Sequence, residues 1–482
     1  MIFIEFILMI KKNKLYEVLK QLEEKDAKKL RKYIASPYFN KSKKLSKLYQ
    51  FLIQNIKNGV ADFPDKQTVW ELLFGAAEIY EDVRFRKLNS DLLKLVEGFL
   101  AQQIYDQNPI YQATYLIEAV RRKKVEKLYN TTMNTARRLS AQQPYKPASY
   151  YYHQYQIETN LYKLSELESK RSEKGNVEEI INNLDRFYLA EKLRYLCESQ
   201  SRMLFFSHEY KLLFIDEIIE HLKKHNYEQF PAVAVYFQVY LTQIEPEIEA
   251  HYFKLRTLLD SSSDKFSKEE VNVIYLYALN YCISKINRNI QIFLMEYFNL
   301  YEKMLEDNIV IVDGFLSQWT FKNIVTIASR LQKYDWTENF IQKYKKYLPE
   351  DARENAVSFN LAQVYFYQKK YDKVITMLSN VEYDDINYNL NSKTILVAVY
   401  YETEEIESLY SLLESFRVFL SRHKNISTDR RDLYANLIKF VRKITQLAPN
   451  DKKGLQKIKE EVERTPNIAS AKWLKEKIAT WG

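Results

Sequence analysis

Apolar residues recur with a helical period along nearly the whole chain. Near the N-terminus, Leu15, Val18, Leu19 and Leu22 follow the spacing i, i+3, i+4, i+7, which marks one face of a 3.6-residue period. The same pattern predicts roughly twenty helices, joined by connections of about two to eight residues that are typical of antiparallel helix pairs. The sequence therefore predicts an all-α protein.

Local signals predict where several of these helices begin and end. Pro37 restricts the residue before it, so the helix that begins near Asp26 must end at about Ala35. Asn176 is positioned to cap the helix that follows it. Ser267 and Glu270 have the spacing of a capping box and open a helix that runs to about residue 288. Further helices are predicted at about 110–121, 123–141, 147–172, 177–206, 209–225, 229–243, 247–260 and 290–306.

One stretch, Asn355–Leu378, repeats the preceding segment with a period of 34 residues. The residue pairs that carry this period are Ala328 with Ala362, Leu331 with Tyr365, Phe340 with Val374, and Tyr344 with Leu378. A 34-residue period, with a small residue on the first helix and apolar residues on the second, is typical of tetratricopeptide repeats.

Asn355–Leu378 resembles the tetratricopeptide family at Leu361, Ala362, Tyr365, Tyr371 and Leu378. It departs from that family at Val374, where alanine is usual, and it lacks the proline that normally ends the unit. A looser copy follows at a spacing of 36, with Ala398 and Tyr401 in place of Ala362 and Tyr365. The resemblance extends over about residues 321–422.

The resemblance implies an α-solenoid of antiparallel helix hairpins, a tetratricopeptide-like superhelix, with an irregular helical cap at the N-terminus. Each hairpin of such an array buries its apolar faces only against its neighbours. The implied function is that of a non-catalytic adaptor or scaffold, which binds a protein or peptide partner along the concave face. The predicted segments are a basic helical region (1–106), a divergent hairpin array (107–320), tetratricopeptide-like repeats (321–422) and C-terminal capping helices (423–482).

Composition excludes several other classes of protein. Only 7 of the 482 residues are glycine, and none lies near enough to another to build a phosphate-binding loop, which makes Rossmann and P-loop folds very unlikely. The two cysteines, Cys197 and Cys282, are too few for a disulfide framework or a cysteine zinc site. Both lie in apolar helical patterns and are expected to be buried, which favours a reducing, cytoplasmic compartment.

The apolar segment Met1–Ile10 does not have the features of a membrane anchor. It is interrupted by Glu5, and at ten residues it is too short to span a bilayer. It has no basic region before it and no small-residue cleavage site after it, unlike a signal peptide. A translation start at Met9 would remove most of it. We expect a soluble protein with no membrane span.

The positive charge is concentrated in the first third of the chain. Residues 1–150 contain 27 Lys and Arg against 16 Asp and Glu, whereas the remainder is close to neutral. Its densest basic feature is the run Arg121–Lys124, followed by Arg137 and Arg138. Tyr145 and the tyrosines at 150, 151, 152 and 155 come next, so an RNA-binding protein that stacks bases on tyrosines is the alternative function. Solvated helix faces are the simpler interpretation.

No residues form a catalytic constellation. His221 and His225 have metal-binding spacing on a helix with Glu217 and Glu220, but no third ligand is evident, so no metal or cofactor is predicted. Glu245, Glu247 and Glu249 are interpreted as acids at the N-terminus of a helix, where the helix dipole favours negative charge. Asp384 and Asp385 read as a polar turn. The sequence predicts no enzyme, and an accessory subunit of an enzyme complex is the third possibility.

Overall fold

The chain is all-α in a computed structural model, as the periodicity predicts. The structure describes residues 13–167, 175–206, 209–378, 386–424, 426–449 and 451–481. The segment Met1–Ile10 and the turn at Asp384 and Asp385 lie outside these ranges. Contacts divide the chain into two compact units, Met1–Tyr188 and Leu189–Gly482. The four predicted segments stay a prediction.

The first unit has two hydrophobic cores, one formed by residues between 15 and 99 and the other by residues between 110 and 164. Its helices are α1 (Lys14–Lys20), α2 (Glu24–Ala35), α3 (Lys43–Lys57), α4 (Lys66–Phe74), α5 (Asp82–Gln107), α6 (Pro109–Lys123), α7 (Tyr129–Ala141), α8 (Ala148–Leu167) and the start of α9 (Val177–Phe206). The helix α2 ends at Ala35, one residue before the Ser36–Pro37 pair, as predicted.

The second unit continues from α9 with shorter helices. They are α10 (Ile215–Lys224), α11 (Pro231–Ile244), α12 (Glu249–Ser262), α13 (Lys268–Asn287), α14 (Ile292–Glu306), α15 (Gln318–Arg330), α16 (Tyr334–Tyr344), α17 (Arg353–Tyr367), α18 (Tyr371–Leu378), α19 (Ile386–Glu402), α20 (Ile406–Arg422), α21 (Thr428–Thr445), α22 (Lys452–Arg464) and α23 (Ala471–Thr480). A two-stranded antiparallel hairpin, β1 (Ile311–Val312) and β2 (Phe315–Leu316), precedes α15.

Packing in the second unit runs from neighbour to neighbour. Consecutive helices pair as α11 with α12, α13 with α14, α15 with α16, α17 with α18, and α19 with α20. Alternate helices also touch, namely α11 with α13, α15 with α17, and α17 with α19. Among the described residues, each of these hairpins therefore packs mainly against its neighbours in sequence.

Residues 34 apart have equivalent surroundings in α15–α16 and α17–α18. Ala328 and Ala362 are both completely buried. Leu331 and Tyr365 are both partly buried, so the two residues of this pair have the same degree of burial. The two remaining pairs, Phe340 with Val374 and Tyr344 with Leu378, are buried. The small residues let the helices approach closely, which is a packing role and not a binding role. Cys197 and Cys282 are buried, as predicted.

Four local features differ from the prediction. The helix expected at about 209–225 begins only at Ile215. The helix expected to begin at 123 begins at Tyr129, because Lys124 takes a left-handed conformation and a 3₁₀ turn follows it. The hairpin β1–β2 was not predicted, although Asp313 and Gly314 both have the positive φ of a type I′ turn. Only half of the capping box forms, because Ser267 accepts a hydrogen bond from the Glu270 backbone while the Glu270 carboxylate faces Tyr236.

Candidate functional site

One side of α13 leaves a row of apolar side chains partly exposed to solvent. Val273, Leu276 and Ile283 are 43%, 45% and 37% exposed, and Asn280 and Asn287 are exposed beside them. We call these five residues the α13 face. Their successive spacings are three, four, three and four residues, so they form one continuous strip along the helix. A strip with this spacing matches the seam of paired helices.

The opposite side of α13 holds the helix in the core. Ile274, Tyr275, Ala278, Leu279 and Cys282 are all buried there. Because these positions alternate with the exposed ones at helical spacing, the burial of one side forces the other side outward. The α13 face is thus a fixed surface on a firmly packed helix.

Polar contacts anchor α13 at both ends. At its start, Tyr236 donates a hydrogen bond to Glu270 at 3.0 Å, and burial raises the pKa of Glu270 above its ordinary value. Near its end, the Lys285 ammonium lies 3.2 Å from the Glu249 carboxylate. Tyr281 donates a hydrogen bond of 2.9 Å to the backbone oxygen of Pro246. These contacts fix the rotation of α13 and with it the direction of the α13 face.

The α13 face has an unusual composition for an exposed surface. Between Val271 and Asn287, a stretch that the structure describes in full, no exposed position carries a charged residue. Charged residues make up 28% of the chain, and solvated helix faces are normally rich in them. Depletion of charge around exposed apolar side chains is characteristic of the centre of a protein–protein interface.

His221 and His225, whose spacing could suit a metal ion, lie side by side but have no third ligand next to them among the described residues. The rings of His221 and His225 lie 4.5 Å apart, and the His221 Nε2 atom is 2.8 Å from the Tyr227 hydroxyl. Glu220 instead forms an ion pair with Lys224. Across the described residues, no group of three or more His, Cys, Asp or Glu side chains could hold a metal ion.

Of the three acids expected at a helix N-terminus, only Glu249 lies in the first turn of α12, and all three form ion pairs with basic residues. Glu245 accepts hydrogen bonds from Lys223 at 2.7 Å and from His251 at 2.8 Å, and these lower the pKa of its carboxyl group. Glu247 pairs with Arg288 and Glu249 pairs with Lys285. Each of the three has a basic partner of its own, so they link helices and do not share a proton.

The structure separates the basic run from the tyrosines. The run Arg121–Lys124 lies at the C-terminal end of α6, where positive side chains interact favourably with the negative end of the helix dipole. The tyrosines on α8 lie near the other end of α6, because the His153 ring is 5.0 Å from the Tyr111 ring. The ten residues from Tyr111 to Arg121 span about 15 Å of helix. Tyr151 is buried, so it offers no stacking surface.

Comparison with protein-family models, with curated proteins and with solved structures found no match. Among the residues that the structure describes, no helix combines the length and the apolar character needed to cross a bilayer.

Sequence reasoning missed the α13 face. The spacing of Val273, Leu276 and Ile283 is readable in the sequence, but the buried residues of the same helix are equally apolar. Periodicity alone does not say which of two apolar faces lies in the core. The absence of charged residues from Val271 to Ser284 was the available signal.

Proposed function

We propose that this protein is a non-catalytic adaptor that binds a helical segment of a protein partner on the α13 face. The observation that carries the proposal is the charge-free, apolar strip on a helix whose other side is fully packed. An amphipathic helix laid along such a strip buries its own apolar residues at the same spacing. The resemblance to tetratricopeptide repeats favours the same class of function by analogy, with the partner on the concave face.

The α13 face specifies what the partner helix contains. Val273, Leu276 and Ile283 require aliphatic or aromatic side chains opposite them. Asn280 in the middle of the strip requires a polar side chain, because an amide buried without a hydrogen-bond partner costs about 1–3 kcal/mol. Covering the exposed part of each apolar residue contributes about 1 kcal/mol. The strip therefore supplies the centre of an interface, with flanking contacts adding the rest.

This proposal includes an enzyme as the partner, in which case the protein is an accessory subunit. RNA binding through the basic first third remains the alternative function. The distance between the Arg121–Lys124 run and the tyrosines means that one RNA strand would have to span the length of α6 to reach both.

The test is quantitative capture of partners from native lysate by tagged wild-type protein and by the double variant Leu276→Glu/Ile283→Glu. The matched control is Ile406→Glu, since Ile406 is 42% exposed on α20 and is therefore similarly tolerant of charge. We expect proteins that wild type and control both recover to be lost with the double variant, at unchanged circular dichroism. The same protein profile from all three, or RNA as the only captured species, would overturn the proposal.

A further inference from the structure

A second surface lies in the groove between α14 and α16. Its volume is about 490 Å³. Three rings on α16 stack one turn apart along its floor: Trp336 and Phe340 lie 5.5 Å apart and are parallel to within 1°, and Phe340 and Tyr344 lie 5.0 Å apart. Leu305 of α14 completes the floor. Each of the three rings packs against the next, and Phe298 packs edge-on against Trp336 at a centroid distance of 4.9 Å.

The two lips of this groove carry opposite charges. Glu302 and Glu306 line the α14 side, and Lys343 and Lys346 line the other. None of these four forms an ion pair in the described part of the chain, and the ammonium groups of Lys343 and Lys346 lie over the Tyr344 and Tyr347 rings at 5.1 and 4.9 Å. Like charges one turn apart on a helix destabilise it by a few tenths of a kcal/mol. The groove therefore has two acids on one side of an aromatic surface and two bases on the other, with no ion pair between them.

A ligand that satisfies both lips must present opposite charges on its two sides. An extended peptide does so when basic and acidic residues alternate, because successive side chains of an extended chain point in opposite directions. The distance from Trp336 to Tyr347, along α16 and the 3₁₀ turn Lys345–Tyr347 that follows it, is about 18 Å. An extended segment covers that distance in about five residues. Asn339 on the same lip offers an amide to the peptide backbone.

We propose that the groove between α14 and α16 binds an extended peptide segment of about five residues in which basic and acidic side chains alternate. The basic side chains face Glu302 and Glu306, and the acidic ones face Lys343 and Lys346. The aliphatic stems of both pack on the rings of Trp336 and Tyr347, which are partly exposed in the groove. This site is separate from the α13 face and does not depend on it.

Two fluorescein-labelled peptides of equal composition test the proposal by fluorescence anisotropy with the full-length protein. One has the alternating core Arg-Glu-Arg-Glu-Arg, and the other has the block core Arg-Arg-Arg-Glu-Glu. We expect the alternating peptide to bind at least about tenfold more tightly. Block order puts both signs of charge on each side of the extended peptide and so removes the match. Equal binding of the two peptides, or binding of neither, would overturn the proposal.

Charge reversal locates the site. The variants Glu302→Lys/Glu306→Lys and Lys343→Glu/Lys346→Glu each give the groove two lips of one sign, and each should weaken the alternating peptide about tenfold or more. The quadruple variant restores opposite lips, and an alternating peptide fits it after shifting by one residue, so its affinity should return. Leu276→Glu/Ile283→Glu should leave the affinity unchanged. Failure of the quadruple variant to recover binding, with its circular dichroism intact, would refute the assignment of the lips.

Discussion

The buried lysine of α13 allows a sharp test of how this helix is held. The Lys285 side chain is only 3% exposed, whereas its partner Glu249 is 38% exposed. The ammonium group also lies 5.5 Å from the Tyr281 ring and 5.9 Å from the Phe293 ring. Replacing Glu249 by Gln leaves a buried cation without its counter-charge, while replacing Lys285 by Met removes the cation itself.

The two changes should differ in size. Breaking a fully buried pair costs about 3–5 kcal/mol, but water near the half-exposed Glu249 screens the charge, so we expect Glu249→Gln to cost about 1–2 kcal/mol. Lys285→Met removes two weak cation–π contacts, which destabilises the fold. It also removes the free-energy cost of burying an ammonium group, which stabilises it. We expect its stability to stay within about 1 kcal/mol of wild type. In the Lys285→Met background, Glu249→Gln should have almost no effect.

The control is Glu247→Gln, because Glu247 also reaches α13 but forms an exposed pair with Arg288. Its two side chains are 72% and 48% exposed, so its loss should be barely measurable. A chain with two compact units need not unfold in one step, so hydrogen exchange of the α12 and α13 amides is the main assay, and thermal midpoints are measured beside it. Equal effects of Glu247→Gln and Glu249→Gln would refute the reasoning, as would strong destabilisation by Lys285→Met.

Two further predictions concern other parts of the chain. In α5, a Cβ at Gly98 would lie 2.9 Å from the Tyr33 hydroxyl, and this contact offsets the roughly 1 kcal/mol that alanine gains over glycine inside a helix. Gly98→Ala should therefore change the stability of the first unit little, but stabilise it by about 1 kcal/mol in the Tyr33→Phe background. Thermal melts of the single and double variants check this, and equal effects in the two backgrounds would contradict it. Hydrogen bonds from Arg417 and Arg442 lower the pKa of Glu414 from 4.5 to about 2. The stability this pair of contacts provides is present above pH 4.5 and lost as the pH falls towards 2, so the melting difference between wild type and Arg442→Gln should shrink over that range and not above it.

The sequence was sufficient for the helices because their signal is local. The positions predicted for the helix opened by Ser267 and for the one ending at Ala35 agree with α13 and α2 within about two residues. Pro37 and the serine cap act within one turn, so they need no tertiary information. Lys124 was missed because its left-handed conformation depends on the α6–α7 turn, and lysine has no marked preference for it.

The candidate surfaces could not be predicted because they depend on which helices pack against each other in the folded chain. The strip of Val273, Leu276 and Ile283 is apolar like the core side of α13, and only the contacts with α11, α12 and α14 decide which side is covered. In the groove, Glu302 and Lys343 are 41 residues apart in sequence and line the same surface because α14 and α16 both border it. Neither a period nor a motif contains that information.

The burial of the only two cysteines gives the second unit an internal reporter. Burial raises the pKa of both the Cys197 and Cys282 thiols, so neither is exposed or readily ionised in the folded chain. A thiol reagent should therefore react only when α9 or α13 separates from its neighbours. Reaction rates of the single variants Cys197→Ala and Cys282→Ala then measure how often each of these helices opens. A partner bound to the α13 face should slow the reaction of Cys282, on the same helix, more than that of Cys197.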